Sequence, residues 1–244
     1  MVLLQEFFPK DWGNGNIVPI YKNGCQYDPS NYRGITIANT FSKIFTSLLN
    51  NRLTKFLSTN NLMNSEQIGF KKGSRTSDHI FVLKCLIESA KRIGKPLYVC
   101  FIDFSKAFDT VWQSGLFFKL LNTGISNKVV NIIRSMYSKL YSRVSIASSI
   151  SNDFPVLLGT RQGCPLSPTL FNIFLNDLPN LLNKCGCNPV YIHGIPLHVI
   201  MYADDVALFS HSENGLKKSL SVVNIYASKW QLIINVKKNQ NHDI

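Results

Sequence analysis

Two adjacent aspartates, Asp204 and Asp205, stand in the stretch VIMYADDVALFS (residues 199–210), between two runs of apolar and β-branched residues. Adjacent carboxylates repel, and no basic residue in the flanks neutralises them. The flanking runs read as the two strands of a hairpin, with Ala203, Asp204 and Asp205 in its turn. One aspartate is enough to support such a turn, so a second exposed carboxylate points to a hard cation. Asp103 ends the run LYVCFIDF (residues 97–104), which is apolar and β-rich enough for a buried strand. If the two strands are neighbours in one sheet, Asp103 and Asp204 converge on one edge. Oxygen ligands of that kind suit Mg2+, which takes one or two carboxylates and completes its shell with water and substrate phosphates. Two such ions about 3.5–4 Å apart support in-line phosphoryl displacement.

Around these carboxylates the chain alternates helical and extended patterns. NIVPIY (residues 16–21) reads as a short strand before the turn-rich loop KNGCQYDPSN. From Thr40 to Leu62 apolar residues recur at helical spacing, including Phe41, Ile44, Phe45, Leu48, Leu49, Leu53, Phe56 and Leu57. A second helix is expected from Asp78, as N-cap, to Ile93, ended by Gly94-Lys95-Pro96. Two more follow near Ser114–Thr123 and Asn127–Ser138, the first capped by Asp109. RVSIASSISNDFPVLLG reads as a pair of strands, and SPTLFNIFLNDLPNLLNK as one helix. His193-Gly194 reads as a hairpin turn; a helix near Gly215–Trp230 and a final strand LIINV close the pattern. This order predicts an α+β fold with an antiparallel sheet backed by helices.

The 244 residues carry 26 Lys and Arg against 14 Asp and Glu, a formal net charge of +12. Such a balance predicts a polyanionic partner, nucleic acid or an anionic membrane surface. Between Lys43 and Lys95 only Glu66, Asp78 and Glu88 answer the basic residues, so a basic N-terminal lobe precedes the half with the clustered aspartates. No apolar run reaches roughly 18 residues, which leaves no transmembrane candidate. The start MVLLQEFFPKDW lacks a basic n-region and does not read as a signal peptide. The 6 cysteines are scattered and read as reduced thiols of an intracellular protein. Cys185, Cys187, His193 and His198 offer zinc-ligand atoms, but their C-x-C start is tighter than zinc sites use, and turn or strand histidines are the preferred reading.

Asp103 lies in FIDFSKAFDTV and Asp204 in MYADDVALFS, with GTRQGCPLSPTLFNIFLNDL between them. This ordered trio resembles motifs A, B and C of a reverse transcriptase palm, in the wording of the non-LTR (LINE-type) retrotransposon branch. IVPIYKNG, NYRGITIANTFSKIF and QIGFKKGSRTSDHIF resemble that branch's fingers segments, and WQLIINVKKN its motif D. The resemblance covers about residues 12–239. It implies a right-hand polymerase fold with fingers in residues 1–95 and palm in residues 96–244, together one reverse transcriptase domain. It also implies RNA-directed DNA polymerase activity: a nucleotidyltransferase that moves a nucleotide from a dNTP to a DNA primer on an RNA template. Two Mg2+ ions, with Mn2+ as a substitute, are the implied cofactors.

By the same resemblance, Asp103 and Asp204 hold the metals, Asp205 assists, and the Phe104 carbonyl adds a ligand. Phe108 lies beneath the incoming sugar and excludes a 2′-OH; an ordinary core phenylalanine is the alternative. Gln162 and Gly163 lie against the nascent base pair, where glycine allows close backbone approach. Lys22 and Arg33 are candidates for gripping the triphosphate. Lys238, with Lys237 as the alternative, is the motif D lysine that protonates the leaving pyrophosphate. Tyr202 packs under the primer end or is simply structural, and Lys71, Lys72 and Arg75 suit template-backbone contacts.

The family follows motif D with a helical thumb, whereas this sequence runs only to NQNHDI and has Asn239 where a threonine often stands. The expectation is therefore a palm-and-fingers fragment of a larger polyprotein, with the thumb, endonuclease domain and Cys/His knuckle missing and processivity poor. The family implies an intracellular location, in nucleus and cytoplasm, as an element ribonucleoprotein. A mobile-intron-type reverse transcriptase and an inactive nucleic-acid-binding remnant are the rival readings.

Overall fold

Among the described residues, short extended runs, several of them continuously apolar, supply ten strands, and period-3.6 segments supply the helices between them. The computed structural model describes residues 2–138, 140–192 and 194–236. Short helices α1 (Val2–Gln5) and α2 (Lys10–Gly13) precede strands β1 (Gly15–Tyr21) and β2 (Tyr32–Ala38). Helices α3 (Thr40–Thr59) and α4 (Thr76–Ile93) lead to β3 (Tyr98–Ile102), and α5 (Gln113–Asn122) and α6 (Asn127–Ser138) follow. Strands β4 (Tyr141–Ile146), β5 (Ser149–Ile150) and β6 (Phe154–Pro155) come next, then helices α7 (Ser167–Leu175) and α8 (Leu178–Lys184). Last are β7 (Val190–Ile192), β8 (Ile195–Leu197), β9 (Val199–Tyr202), β10 (Asp205–Ser210) and α9 (Glu213–Trp230). The architecture is α+β, as the sequence pattern implies.

The chain forms two compact units, Met1–Asn60 with Val111–Leu170 and Asn61–Thr110 with Phe171–Ile244. The first contains a mixed sheet in the order β2-β1-β4-β5, with β6 also on β4. β1 and β2 pair antiparallel from Gly15↔Ala38 to Tyr21↔Tyr32, whereas β1 and β4 run parallel with Gly15 opposite Ser142. Helix α3 buries Ser42, Thr46, Leu49, Leu53 and Leu57. That face is rotated from the one apolar spacing suggested: Phe41, Ile44, Leu48 and Phe56 are exposed. The Thr46 hydroxyl makes this possible by donating to the Ser42 carbonyl at 2.7 Å, which satisfies it inside the core.

The second unit is built on an antiparallel sheet in the order β3-β10-β9. Ile200, Ala207 and Phe209 from this sheet form a core with Leu86 of α4 and Val190 of β7, joined by Val82, Leu83 and Val99. α9 packs on β10 and β3 and buries Val223, Tyr226, Ala227 and Trp230. The Tyr226 hydroxyl donates to the Phe174 carbonyl at 2.8 Å and to Asp177 at 2.7 Å, tying α9 to the α7–α8 junction.

Several sequence expectations are corrected. β3 is half-exposed, with Phe101 62% exposed, because it lies at the edge of its three-stranded sheet. α4 starts at Thr76 with Arg75 as N-cap; Asp78 sits one turn inside and accepts the Arg75 N–H at 2.8 Å. Asp109 lies in the turn after Asp103 and does not cap α5, whose N-cap is Trp112. The helix expected over residues 167–184 is broken between Leu175 and Leu178. Pro179 has no N–H to continue it, and the Asn176 side chain instead binds the backbone of Asn64 and Leu62. LIINV contributes only a single bridge, Ile234 to Phe104. Cys185 and Cys187 are joined by a disulfide rather than reduced, with Gly186 between them in the left-handed region at φ 66°. β7 and β8 form the expected hairpin, although His193 lies outside the described residues. No described helix is long and apolar enough to cross a membrane.

Candidate active site

The paired aspartates stand where the β9–β10 register closes. Tyr202 pairs with Asp205, which leaves Ala203 and Asp204 as a two-residue turn. Asp205 therefore begins a strand and is not part of the turn. Ala203 takes a φ of 58°, and a positive φ at the first turn position matches the twist of the flanking strands. On its other edge β10 pairs with β3, Val206 opposite Ile102. Asp103 follows Ile102 directly, so the segments carrying Asp103, Asp204 and Asp205 meet at one end of the sheet.

Asp103 is oriented by a residue that sequence reasoning did not single out. The Asn235 N–H donates to the Asp103 carbonyl at 2.8 Å, and Asn235 Nδ2 donates to Asp103 Oδ2 at 2.9 Å. Ser105 N–H donates to the Ile233 carbonyl at 2.7 Å, completing a short antiparallel contact around Phe104. Ladder alternation turns the Phe104 carbonyl away from residues 233–235. Phe104 itself is buried, which fixes this stretch of backbone. The motif D wording marked the neighbourhood of Asn235 but not its contact, because nothing local in a sequence reports a partner this distant.

Among the described residues no group of three or more His, Cys, Asp or Glu side chains is placed to hold a metal ion by itself. What the site offers is an open set of hard oxygen donors, with a neutral amide that orients Asp103 without cancelling its charge. An open oxygen set of this kind fits a hard divalent cation that keeps water and substrate ligands.

Phe108 is half-buried, stacked on Phe171 at 4.4 Å and edge-on to Phe70 at 5.9 Å. Tyr202 is half-buried and meets His79 edge-on at 6.5 Å. Burial lowers the His79 pKa, opposed by the neighbouring Asp78 carboxylate. Lys71, Lys72 and Arg75 are exposed on a loop that turns at Gly73, φ 85°.

The other candidates belong to the unit formed by Met1–Asn60 and Val111–Leu170. The Gln162 carbonyl accepts the Thr36 N–H at 2.9 Å, anchoring the loop before α7 to β2. Gly163 has φ 102°, and a Cβ there would lie 2.6 Å from the Thr36 carbonyl oxygen. Within this unit glycine is thus required by the close approach of the protein's own backbone. Arg161, also not foreseen, is buried and donates to the Trp12 carbonyl at 3.5 Å and the Asn14 carbonyl at 3.4 Å. Its own carbonyl accepts the Ser167 hydroxyl at 2.8 Å, and burial pulls its pKa below the ordinary value. Lys22 and Arg33 are both exposed. Arg33 pairs with Ile20, and Lys22 N–H donates to the Asn31 carbonyl, so antiparallel alternation puts both cations on one face of the β1–β2 hairpin. Lys237 and Lys238 lie outside the described residues.

With this geometry in hand, the comparisons with known proteins agree. Residues 20–243 match the family model described as Reverse transcriptase (RNA-dependent DNA polymerase). The chain is 27% identical over 253 residues to the RNA-directed DNA polymerase from mobile element jockey of Drosophila melanogaster, covering 98% of this chain and 26% of that protein. It is 26% identical over 222 residues to the retrovirus-related Pol polyprotein from type-1 retrotransposable element R2 of Nasonia vitripennis, covering 91% of this chain and 21% of that one. The chain thus spans about a quarter of the length of the curated relatives it matches. In three dimensions it superposes on apo telomerase from Candida tropicalis, truncated from its C-terminal domain, with a TM-score of 0.69. That match has 17% identity and covers 93% of this chain and 49% of the telomerase chain. The shared fold is the palm-and-fingers fold of reverse transcriptases. Motifs, fold and family model agree, and the chain belongs to the reverse transcriptase (RNA-dependent DNA polymerase) family.

Proposed function

We propose that this chain is the polymerase domain of a non-LTR retrotransposon protein, with fingers in residues 1–95 and palm in residues 96–244, that extends a DNA primer on an RNA template with dNTPs. The observation that carries the reading is the β9–β10–β3 register, which brings Asp103 together with the Asp204 turn. In the reaction the primer 3′-hydroxyl gives up its proton to water, its oxygen forms a bond to the α-phosphorus of the dNTP, the bond to the bridging oxygen breaks, and pyrophosphate leaves. Asp103, Asp204 and Asp205, with the Phe104 carbonyl, would hold two Mg2+ or Mn2+ ions. When bound, these ions supply Lewis-acid activation of the attacking oxygen and charge neutralisation at the phosphates.

The remaining roles fall to the chain's own side chains. Asn235 keeps the Asp103 carboxylate in one orientation. Phe108, braced by Phe171, closes the space a 2′-OH would need. Lys22 and Arg33, on one hairpin face, offset triphosphate charge, and Gln162 borders the base pair from a loop pinned to Thr36. Tyr202 supports the primer end, Lys71, Lys72 and Arg75 hold the template backbone, and Lys238 is assigned the leaving-group proton on the motif resemblance.

Primer extension on poly(rA)/oligo(dT) with Mg2+, comparing wild type with Asp204→Ala, tests this reading. Template-dependent dTTP incorporation is expected from wild type. Asp204→Ala should lose roughly a hundredfold or more, the order seen when a preorganised charge-stabilising group is removed. Equal incorporation by both proteins refutes the metal assignment, and none from wild type refutes polymerase activity of the chain.

A further inference from the structure

Gln67 opens the QIGF stretch, and none of the roles above uses it. The residue is 2% exposed. The segment around it runs parallel to β9: Met201 N–H donates to the Glu66 carbonyl at 2.8 Å, and Ile68 N–H to the Met201 carbonyl at 3.0 Å. From there the Gln67 amide turns onto Ala203, the residue before Asp204. Gln67 Nε2 donates to the Ala203 carbonyl at 3.0 Å, and Gln67 Oε1 accepts the Ala203 N–H at 2.9 Å. The same Oε1 accepts the Gly69 N–H at 2.9 Å.

Gly69 is held equally close. A Cβ on it would lie 2.1 Å from the Ala203 nitrogen, and its carbonyl accepts from Asn172 Nδ2 at 2.7 Å. Ala203 needs such support because it occupies the left-handed region at φ 58° without being glycine. Both of its backbone polar groups are taken by one neutral side chain. A carboxamide sets a separate donor and acceptor side by side without charge, as the paired N–H and C=O of one residue require, and here the longer glutamine spans the gap.

We infer that Gln67 is a positioning residue: braced by Gly69 and Asn172, it clamps the Ala203 peptide so that the turn presents Asp204 to a divalent cation in one geometry. The inference rests on the proposed metal-binding role of Asp204. It predicts that replacing Gln67 weakens cation binding without unfolding the protein, as changes behind a metal ligand do.

The test uses the full chain as wild type, Asp204→Ala, Q67M, Q67E and Leu182→Ala. Q67M keeps the length and apolar bulk but removes both hydrogen bonds. Q67E keeps the shape but sets an oxygen against the Ala203 carbonyl. Leu182→Ala opens the core at the fully buried Leu182 of α8, which makes no hydrogen bond to the turn, and controls for lost stability. Mn2+ binding is read by electron paramagnetic resonance, and the Ala203 amide by hydrogen exchange of the 199–210 peptide. Q67M and Q67E are expected to bind Mn2+ about 10–100-fold more weakly and to exchange faster in that peptide. Leu182→Ala should lower the melting temperature and leave Mn2+ affinity unchanged. If Asp204→Ala abolishes Mn2+ binding while both Gln67 variants bind as wild type does, the positioning role is wrong and the site assignment stands. Equal loss in Leu182→Ala also overturns it, since general destabilisation then explains the effect. Wild-type Mn2+ affinity in Asp204→Ala overturns the metal reading and this inference with it.

Discussion

Replacing Gly163 by alanine perturbs two things at once. Its φ of 102° lies beyond the left-handed well that other residues tolerate, where occupancy already costs about 1–2 kcal/mol. The new Cβ would also meet the Thr36 carbonyl oxygen at 2.6 Å, and backbone cannot swing aside as a side-chain tip can. Relief requires the loop to move off β2, which stretches the 2.9 Å bond from Thr36 N–H to the Gln162 carbonyl. Thr36 is buried, so losing that bond costs about 1 kcal/mol and more if its N–H finds no water. The sum is about 2–4 kcal/mol, a large part of the roughly 5–15 kcal/mol that holds a typical domain folded. Gly124→Ala is the control: φ is 79° but nothing lies within 4 Å of the added Cβ, so only the strain of about 1–2 kcal/mol applies. Urea denaturation of the two variants measures the difference, and a dTTP titration reads whether the displaced Gln162 raises the KM. Losses that agree within about 0.5 kcal/mol, the spread of ordinary surface changes, would refute the docking of this loop on Thr36.

Asn235→Ala removes the side-chain bond to Asp103 and leaves the backbone pairing; Mg2+ titration of primer extension should show about a tenfold higher requirement. Phe108→Val opens space beside Phe171, and the preference for dTTP over rTTP in single-nucleotide incorporation should fall by about 10-fold or more. His198 is buried, its Nδ1 has no hydrogen-bond partner among the described residues, and desolvation lowers its pKa; His79 is lowered too. Below the unfolded value of about 6.5 the unfolded chain therefore binds more protons, so stability is lost as the pH is lowered there, by at most about 1.4 kcal/mol per unit for each histidine. Urea midpoints between pH 8 and 5 check this, and His198→Gln should flatten the slope.

The features legible in the sequence are those fixed by a few neighbouring residues. The apolar periods of α4, α6 and α9 and the MYADDV hairpin depend on side chains within one or two turns, so spacing alone marks them. The ordered A, B and C motifs likewise name Asp103, Asp204 and Gln162 without coordinates. Expectations failed where burial or a distant group decided. The inward face of α3 includes Ser42 and Thr46 because a local hydroxyl bond makes them compatible with a core, and hydrophobicity does not report that. The break after α7 follows from Asn176 bonding to Asn64 and Leu62, more than 100 residues upstream.

By itself, then, the sequence determined the chemistry on offer: which carboxylates, which order of motifs, which family. The tertiary structure decided how those groups are held. The parallel pairing of β1 with β4, the bond from Asn235 to Asp103, and the Gln67 clamp on Ala203 all join residues more than 100 positions apart. Backbone pairing uses the same N–H and C=O at every residue, so its long-range partners leave little trace in side-chain identity. They are selected only when the whole chain closes on itself and buries the apolar faces that local spacing had already prepared.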